Sequence, residues 1–156
     1  MKTIFILLTF ALCLVVFGDA LSTTKYTYAL ASRGCMQEDA RALEVYLTQE
    51  PYSGEAFPPV PYIRIEVEWS DWKNLIGKDL KLAQLSRHRP DPQTPTVRAE
   101  LNLERQQRVW LRGTLCLKKV EVNKQVEGSY EFAEPNYLKW TGMFKAQWGK
   151  DRLPCG

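Results

Sequence analysis

Apolar and polar residues alternate along most of this chain, the pattern of strands with one buried face. The clearest run is Tyr62 to Trp69. There Ile63, Ile65, Val67 and Trp69 share one side, while Tyr62, Arg64, Glu66 and Glu68 share the other. Leu43, Val45 and Leu47 alternate in the same way with Glu44, Tyr46 and Thr48, and Tyr26, Tyr28 and Leu30 mark an earlier strand within Thr24 to Ser32. A short strand is expected at Leu80 to Leu82. Gln37 to Ala42 has helix-forming composition for one turn at most.

The block from Val97 to Trp148 reads as a meander. Val97, Ala99, Leu101 and Leu103 face inward, followed by Val109, Leu111, Gly113, Leu115 and Leu117. Val120 and Val122 then fall out of phase, which a one-residue bulge at Lys118-Lys119 repairs, because an extra residue flips the faces. Three stretches begin with glycine, at Gly113, Gly128 and Gly142, and each continues with alternating apolar residues. The expected hairpins pair Leu117 with Tyr130 and Leu115 with Phe132, and beyond the bulge Val120 with Gly128 and Val122 with Val126, around an Asn123-Lys124-Gln125 loop. They then pair Phe132 with Leu138, Tyr130 with Trp140 and Gly128 with Gly142.

Proline sets the loops, since it has no amide donor and resists both helix and central strand. Glu50 to Pro61 and Ser86 to Pro95 are such stretches. Short strands separated by turn signals, without a long helical period, predict an all-β fold. The expected form is an antiparallel sandwich of about seven to nine short strands with a C-terminal meander. The alternative is a closed barrel like that of lipocalins, to which the length and strand content are similar. The N-terminal glycine–tryptophan signature of that family has no counterpart here. The cysteine–tryptophan–cysteine spacing of immunoglobulin domains is not supplied by Cys35 and Cys155 either.

The first twenty residues change the picture. Lys2 precedes an uncharged apolar run from Ile4 to Phe17, and Gly18 and Ala20 supply small residues. This is the pattern of a secretory signal peptide over 1–20, leaving a single β domain over 21–156. The run ends at Asp19, short of the roughly twenty residues a membrane span needs, so no stable membrane anchor is expected. Localisation is then secreted or extracellular, or periplasmic in a bacterium. The net charge of +3 is too small and too dispersed for a nucleic-acid partner.

Export implies an oxidising space. Of the four cysteines, Cys13 leaves with the leader. Cys35 and Cys155 are the expected disulfide, stapling the domain ends at a gain of about 4–5 kcal/mol in the chain-entropy model. Cys116 is left over on an outward position. The mature chain is expected to be a monomer, with a Cys116-linked dimer as the variant.

Candidate chemistry is sparse. His88 is the single imidazole and sits in a polar loop without a visible oxyanion hole. One histidine without a close cysteine pair predicts no metal, and no cofactor motif is present. The outward carboxylates Glu44, Glu66, Glu68, Glu100, Glu104 and Glu121 lie among arginines and read as cross-strand salt pairs rather than a glycosidase pair. The outward aromatics carry more weight. Tyr46, Tyr62 and Trp110, with Arg112 beside them and Trp72 in a turn, are the candidate contact residues. The leading expectation is a secreted, non-enzymatic module that binds an extracellular protein or glycan. A carrier of a small apolar ligand is the alternative, and an extracellular hydrolase the third reading.

Overall fold

The computed structural model describes residues 25–35, 41–55, 57–69, 71–83, 94–104, 107–135 and 138–150. The leader, His88 and the side chains of the Cys35–Cys155 pair lie outside them. Among the described residues nine strands form: β1 (Tyr28–Cys35), β2 (Arg41–Thr48), β3 (Tyr62–Glu68), β4 (Asp79–Lys81), β5 (Thr96–Glu104), β6 (Gln107–Trp110), β7 (Arg112–Glu121), β8 (Gln125–Ala133) and β9 (Lys139–Trp148). The fold is all-β, as the alternation predicts. The strands make one continuous sheet in the order β4-β7-β8-β9-β1-β2-β3-β5-β6, curled into a half-barrel. All pairs are antiparallel except β1–β9, which run parallel through Leu30–Gln147 and Ala31–Trp148.

Period-two alternation sends one face of every strand to a common core. Leu43, Val45, Leu47, Ile63, Ile65 and Val67 from one half meet Leu115, Leu117, Val126, Phe132 and Ala146 from the other in one cluster. Trp72 and Leu75 reach the same cluster from a 3-10 turn, Trp72–Leu75. Asp71 shapes that turn. One carboxylate oxygen accepts from the Lys73 amide at 3.2 Å, and the other from Asn74 Nδ2 at 2.7 Å. The turn therefore swings Trp72 inward, where its ring lies 6.3 Å from that of Trp148.

The bulge lies where the sequence puts it, between Leu117 and Lys119. The register on either side differs from the expected one by two residues. Leu115 faces Tyr130, Leu117 faces Gly128 and Val120 faces Val126. On the next ladder Phe132 faces Trp140, Tyr130 faces Gly142 and Gly128 faces Phe144. Each glycine thus lies under an aromatic ring rather than opposite another glycine. A β-carbon on Gly142 would fall 2.8 Å from the Tyr130 hydroxyl, and one on Gly128 2.7 Å from Phe144 Cζ. These rings fill the space left by the missing side chains.

The run from Val109 to Leu117, expected as one strand, is divided at Leu111. β6 pairs with β5 at one edge of the sheet, while β7 lies between β4 and β8 at the other. The chain passes between the edges through Leu111, Arg112 and Gly113. Gly113 has φ +127°, a conformation open to glycine alone among common residues. Leu111 N–H donates to Ala99 O at 2.9 Å, Leu82 N–H to Gly113 O at 2.9 Å and Ala83 N–H to Val97 O at 2.7 Å. These bonds tie the two sheet edges together at one corner of the half-barrel.

Candidate functional site

The outward face of β1, β2, β3 and β5 is organised by register. One row runs Leu30, Tyr46, Arg64, Glu100 and Trp110 across the strands. The next runs Ser32, Glu44, Glu66 and Arg98, and a third Gly34, Ala42, Glu68 and Thr96. Opposite charges on neighbouring strands stand close enough to pair. Arg64 Nη2 lies 2.5 Å from Glu44 Oε1 and 2.9 Å from Glu66 Oε2, and Arg64 Nη1 lies 3.6 Å from Glu100 Oε1. Arg98 bonds Glu68 and stands 3.7 Å from Glu66. The Tyr46 hydroxyl donates to Glu44 Oε2 at 2.6 Å. Gly34 makes room for this arrangement, since a β-carbon there would meet the Glu44 carboxyl at 2.5 Å.

The salt pairing follows the sequence expectation, but the face is not a solvated one. Glu44 and Glu100 are only 5% exposed, and Asn102 and Thr48 are buried beside them. Desolvation is the main cause that raises the Glu66 carboxyl above its ordinary range; Arg64 opposes it, and Glu44 and Glu68 add to it. Burial works to lower the Arg64 value. The charge and hydrogen bond of Glu44, with Glu66 and Tyr46, outweigh it and raise the guanidinium above its usual range. On the inner side, burial and then Tyr130 push the Tyr26 phenol up to about 12.

A raised carboxyl has a definite consequence for stability. Its contribution is fully present below the unfolded value, near 4.5, and is lost as pH rises through the folded value. Glu66→Gln keeps an acceptor for Arg64 and removes the titration. It is expected to give a modest gain in stability at pH 7 that disappears by pH 4. Urea midpoints at the two pH values check this, and an equal effect at both would refute it.

The aromatic candidates separate. Tyr46 is on the outward face as predicted, yet it is 2% exposed. Tyr52 packs against it edge-on at 5.8 Å and Tyr62 at 6.2 Å, so its ring is not a contact surface. Trp72 is likewise in the core rather than at the surface. Tyr62 is half-buried, while Trp110 and Arg112 are exposed, Trp110 by 38%. For Tyr46 and Trp110 the alternation assigns the face correctly, but it carries no sign of the loop that covers Tyr46.

The structure adds residues that the pattern did not single out. Phe57 is 90% exposed and Val60 48% in the loop between β2 and β3, and Leu103, expected to face inward, is exposed instead, because it lies at the end of β5 beyond the core residue Leu101. Thr48, Tyr62, Asn102 and Arg108 share one row, so the β2–β3 loop and the β5–β6 turn leave the sheet at the same end. Phe57 and Val60 thus belong to a loop at the end of the sheet where Leu103 closes β5, while Trp110 stands on the edge strand β6, across from Glu100. The proline-rich composition of 50–61 was the available signal.

No protein-family model matches the chain, no curated protein sequence matches it, and no solved structure matches it. Function therefore rests on the chain's own geometry.

A second feature lies on the outer face of β7, β8 and β9. An open groove of about 550 Å³ is lined by Asp79, Thr114, Cys116, Ser129, Thr141 and Met143 among others. Cys116 is half-buried there as a free thiol, on the outward side that its parity predicts. Among the described residues, no three histidine, cysteine or acidic side chains are placed to hold a metal ion.

Proposed function

We propose that the chain is a secreted, non-enzymatic binding module, and that it engages an extracellular protein through the apolar end of its sheet. The observation that carries this reading is the exposure of Phe57 and Val60 in the β2–β3 loop, of Leu103 at the end of β5 and of Trp110 on β6. Large apolar side chains gathered in solvent are characteristic of contact surfaces, and aromatic anchors beside arginine supply most of the energy in such contacts. Here Arg108 and Arg112 flank Trp110 in sequence, and both are exposed. Partner binding would remove this apolar area from water.

The test is capture from the surrounding secreted proteins, with a glycan array in parallel. The mature protein is compared with a Phe57→Ser/Trp110→Ser variant of unchanged circular dichroism. A protein retained by the first and at least about tenfold weaker for the second supports the proposal, tenfold being the loss of one good anchor. Selective glycan binding would move the partner to the other class. Equal capture by both proteins would remove the apolar end as the site.

A further inference from the structure

Among the described residues, the outward face of β1, β2, β3 and β5 sets four paired carboxylates against two guanidiniums. Glu44, Glu66, Glu68 and Glu100 share the two guanidiniums of Arg64 and Arg98. Four carboxylates against two guanidiniums leave an excess of two negative charges. These carboxylate side chains are at most 19% exposed. A buried charge without a counter-ion is costly, so the excess favours any cation that can reach it.

A second observation comes from the neighbouring strand. Ser32 is 2% exposed, and its hydroxyl has no hydrogen-bond partner among the described residues. It stands directly across from Glu44, on the same face of the sheet. Buried hydroxyls are ordinarily satisfied, so an orphan beside an excess of carboxylate points to a donor that comes from outside. Arg64 and Arg98, each more than a quarter exposed, mark where this face opens to solvent.

We infer that the row Ser32, Glu44 and Glu66 binds an organic cation, a guanidinium or a primary ammonium. Its charge offsets the carboxylate excess, and its N–H groups donate to the Ser32 hydroxyl and to the carboxylates. Several donors fanned from one charged centre suit acceptors on three adjacent strands, which stand about 4.8 Å apart. A point cation coordinated by three carboxylates does not suit them, in line with the lack of a metal-holding group among the described residues.

The test is calorimetric titration of the full chain at low salt. The probes are N-acetyl-arginine amide and N-acetyl-lysine amide, with N-acetyl-norleucine amide as the neutral control. Saturable binding of at least one cation and none of the neutral compound is expected. Ser32→Ala is expected to weaken binding about tenfold, the scale of one hydrogen bond to a charged group, with an unchanged urea midpoint. Glu66→Gln should weaken it as well. A basic peptide that binds more tightly than the amino-acid amides assigns the cation to a protein side chain; equal affinity assigns it to a small molecule. No saturable heat at millimolar cation, or equal affinity in both variants and the parent, would overturn the inference.

Discussion

Replacing Arg64 by leucine is expected to cost about 3–5 kcal/mol at pH 7, the scale for breaking a buried ion pair by removing one partner. Arg64 touches Glu44, Glu66 and Glu100 at once. Leucine would leave all three carboxylates largely buried without it. The loss should depend on pH in a stated direction. Among the causes acting on Glu66, burial raises its carboxyl and Arg64 is the largest opposing one. Without Arg64 the folded value moves further up. A raised carboxyl contributes stability below its unfolded value and loses it as pH rises through the folded one. The variant should therefore be weakest near neutrality and recover toward the parent at about pH 4. Urea unfolding of both proteins between these limits measures the difference. A constant difference across the range would mean that Arg64 acts by packing its stem rather than by its charge. A double-mutant cycle with Glu44→Gln would then give little coupling.

This network shows what the sequence can and cannot disclose. The alternation put Glu44, Tyr46, Arg64, Glu66, Arg98 and Glu100 on one face, and that placement holds. It said nothing of burial, because burial here comes from a second layer. Tyr52, from the proline-rich loop between β2 and β3, packs on Tyr46. Trp72, expected as a contact residue in a turn, lies in the core instead. Its turn is made by the Asp71 carboxylate, and a capped turn has no periodicity from which to infer an inward side chain.

Register was legible only in part, and the reason is simple. A slip of one residue moves every side chain to the wrong face, so the pattern forbids it. A slip of two leaves every face unchanged. The expected pairings of β7, β8 and β9 are displaced by that amount and satisfy the same alternation. The turn decides between them. Asn123 adopts a left-handed φ of 64°, and Glu121 and Gln125 close the hairpin around it. The partnership of glycine with a large ring is the other determinant. Tyr130 over Gly142 and Phe144 over Gly128 fill gaps that a glycine–glycine pair would leave open. The parallel contact of β1 with β9 brings together segments more than a hundred residues apart, and no local pattern specifies it.

The break between β6 and β7 was the least legible feature, and it leads to the second large effect. Val109, Leu111, Gly113 and Leu115 alternate without interruption. What parts them is one backbone conformation at Gly113, with φ +127°. A β-carbon there would also stand 1.9 Å from the carbonyl oxygen of Glu131. Backbone atoms cannot yield as a flexible side chain can. Gly113→Ala is therefore expected to cost about 3–5 kcal/mol, combining the strain of a glycine-only conformation with that of overpacking. Gly77→Ala is the control. Gly77 also has positive φ, at 76°, but a β-carbon there meets nothing within 4 Å. Its cost should be about 1 kcal/mol, from conformation alone. Urea unfolding of both variants gives the comparison, and equal costs would show that the contact with Glu131 is relieved without effort. Hydrogen exchange locates the damage. If the Gly113 bend joins the sheet edges, the amides of Leu82, Ala83 and Leu111 should exchange faster in Gly113→Ala, because their acceptors Gly113, Val97 and Ala99 lie at that corner. Protection in the middle of β2 and β3 should fall only with global stability, since those strands pair with each other and with β1 and β5 away from the bend. Uniform loss of protection would place the substitution in the general core instead of at the junction of the two edges.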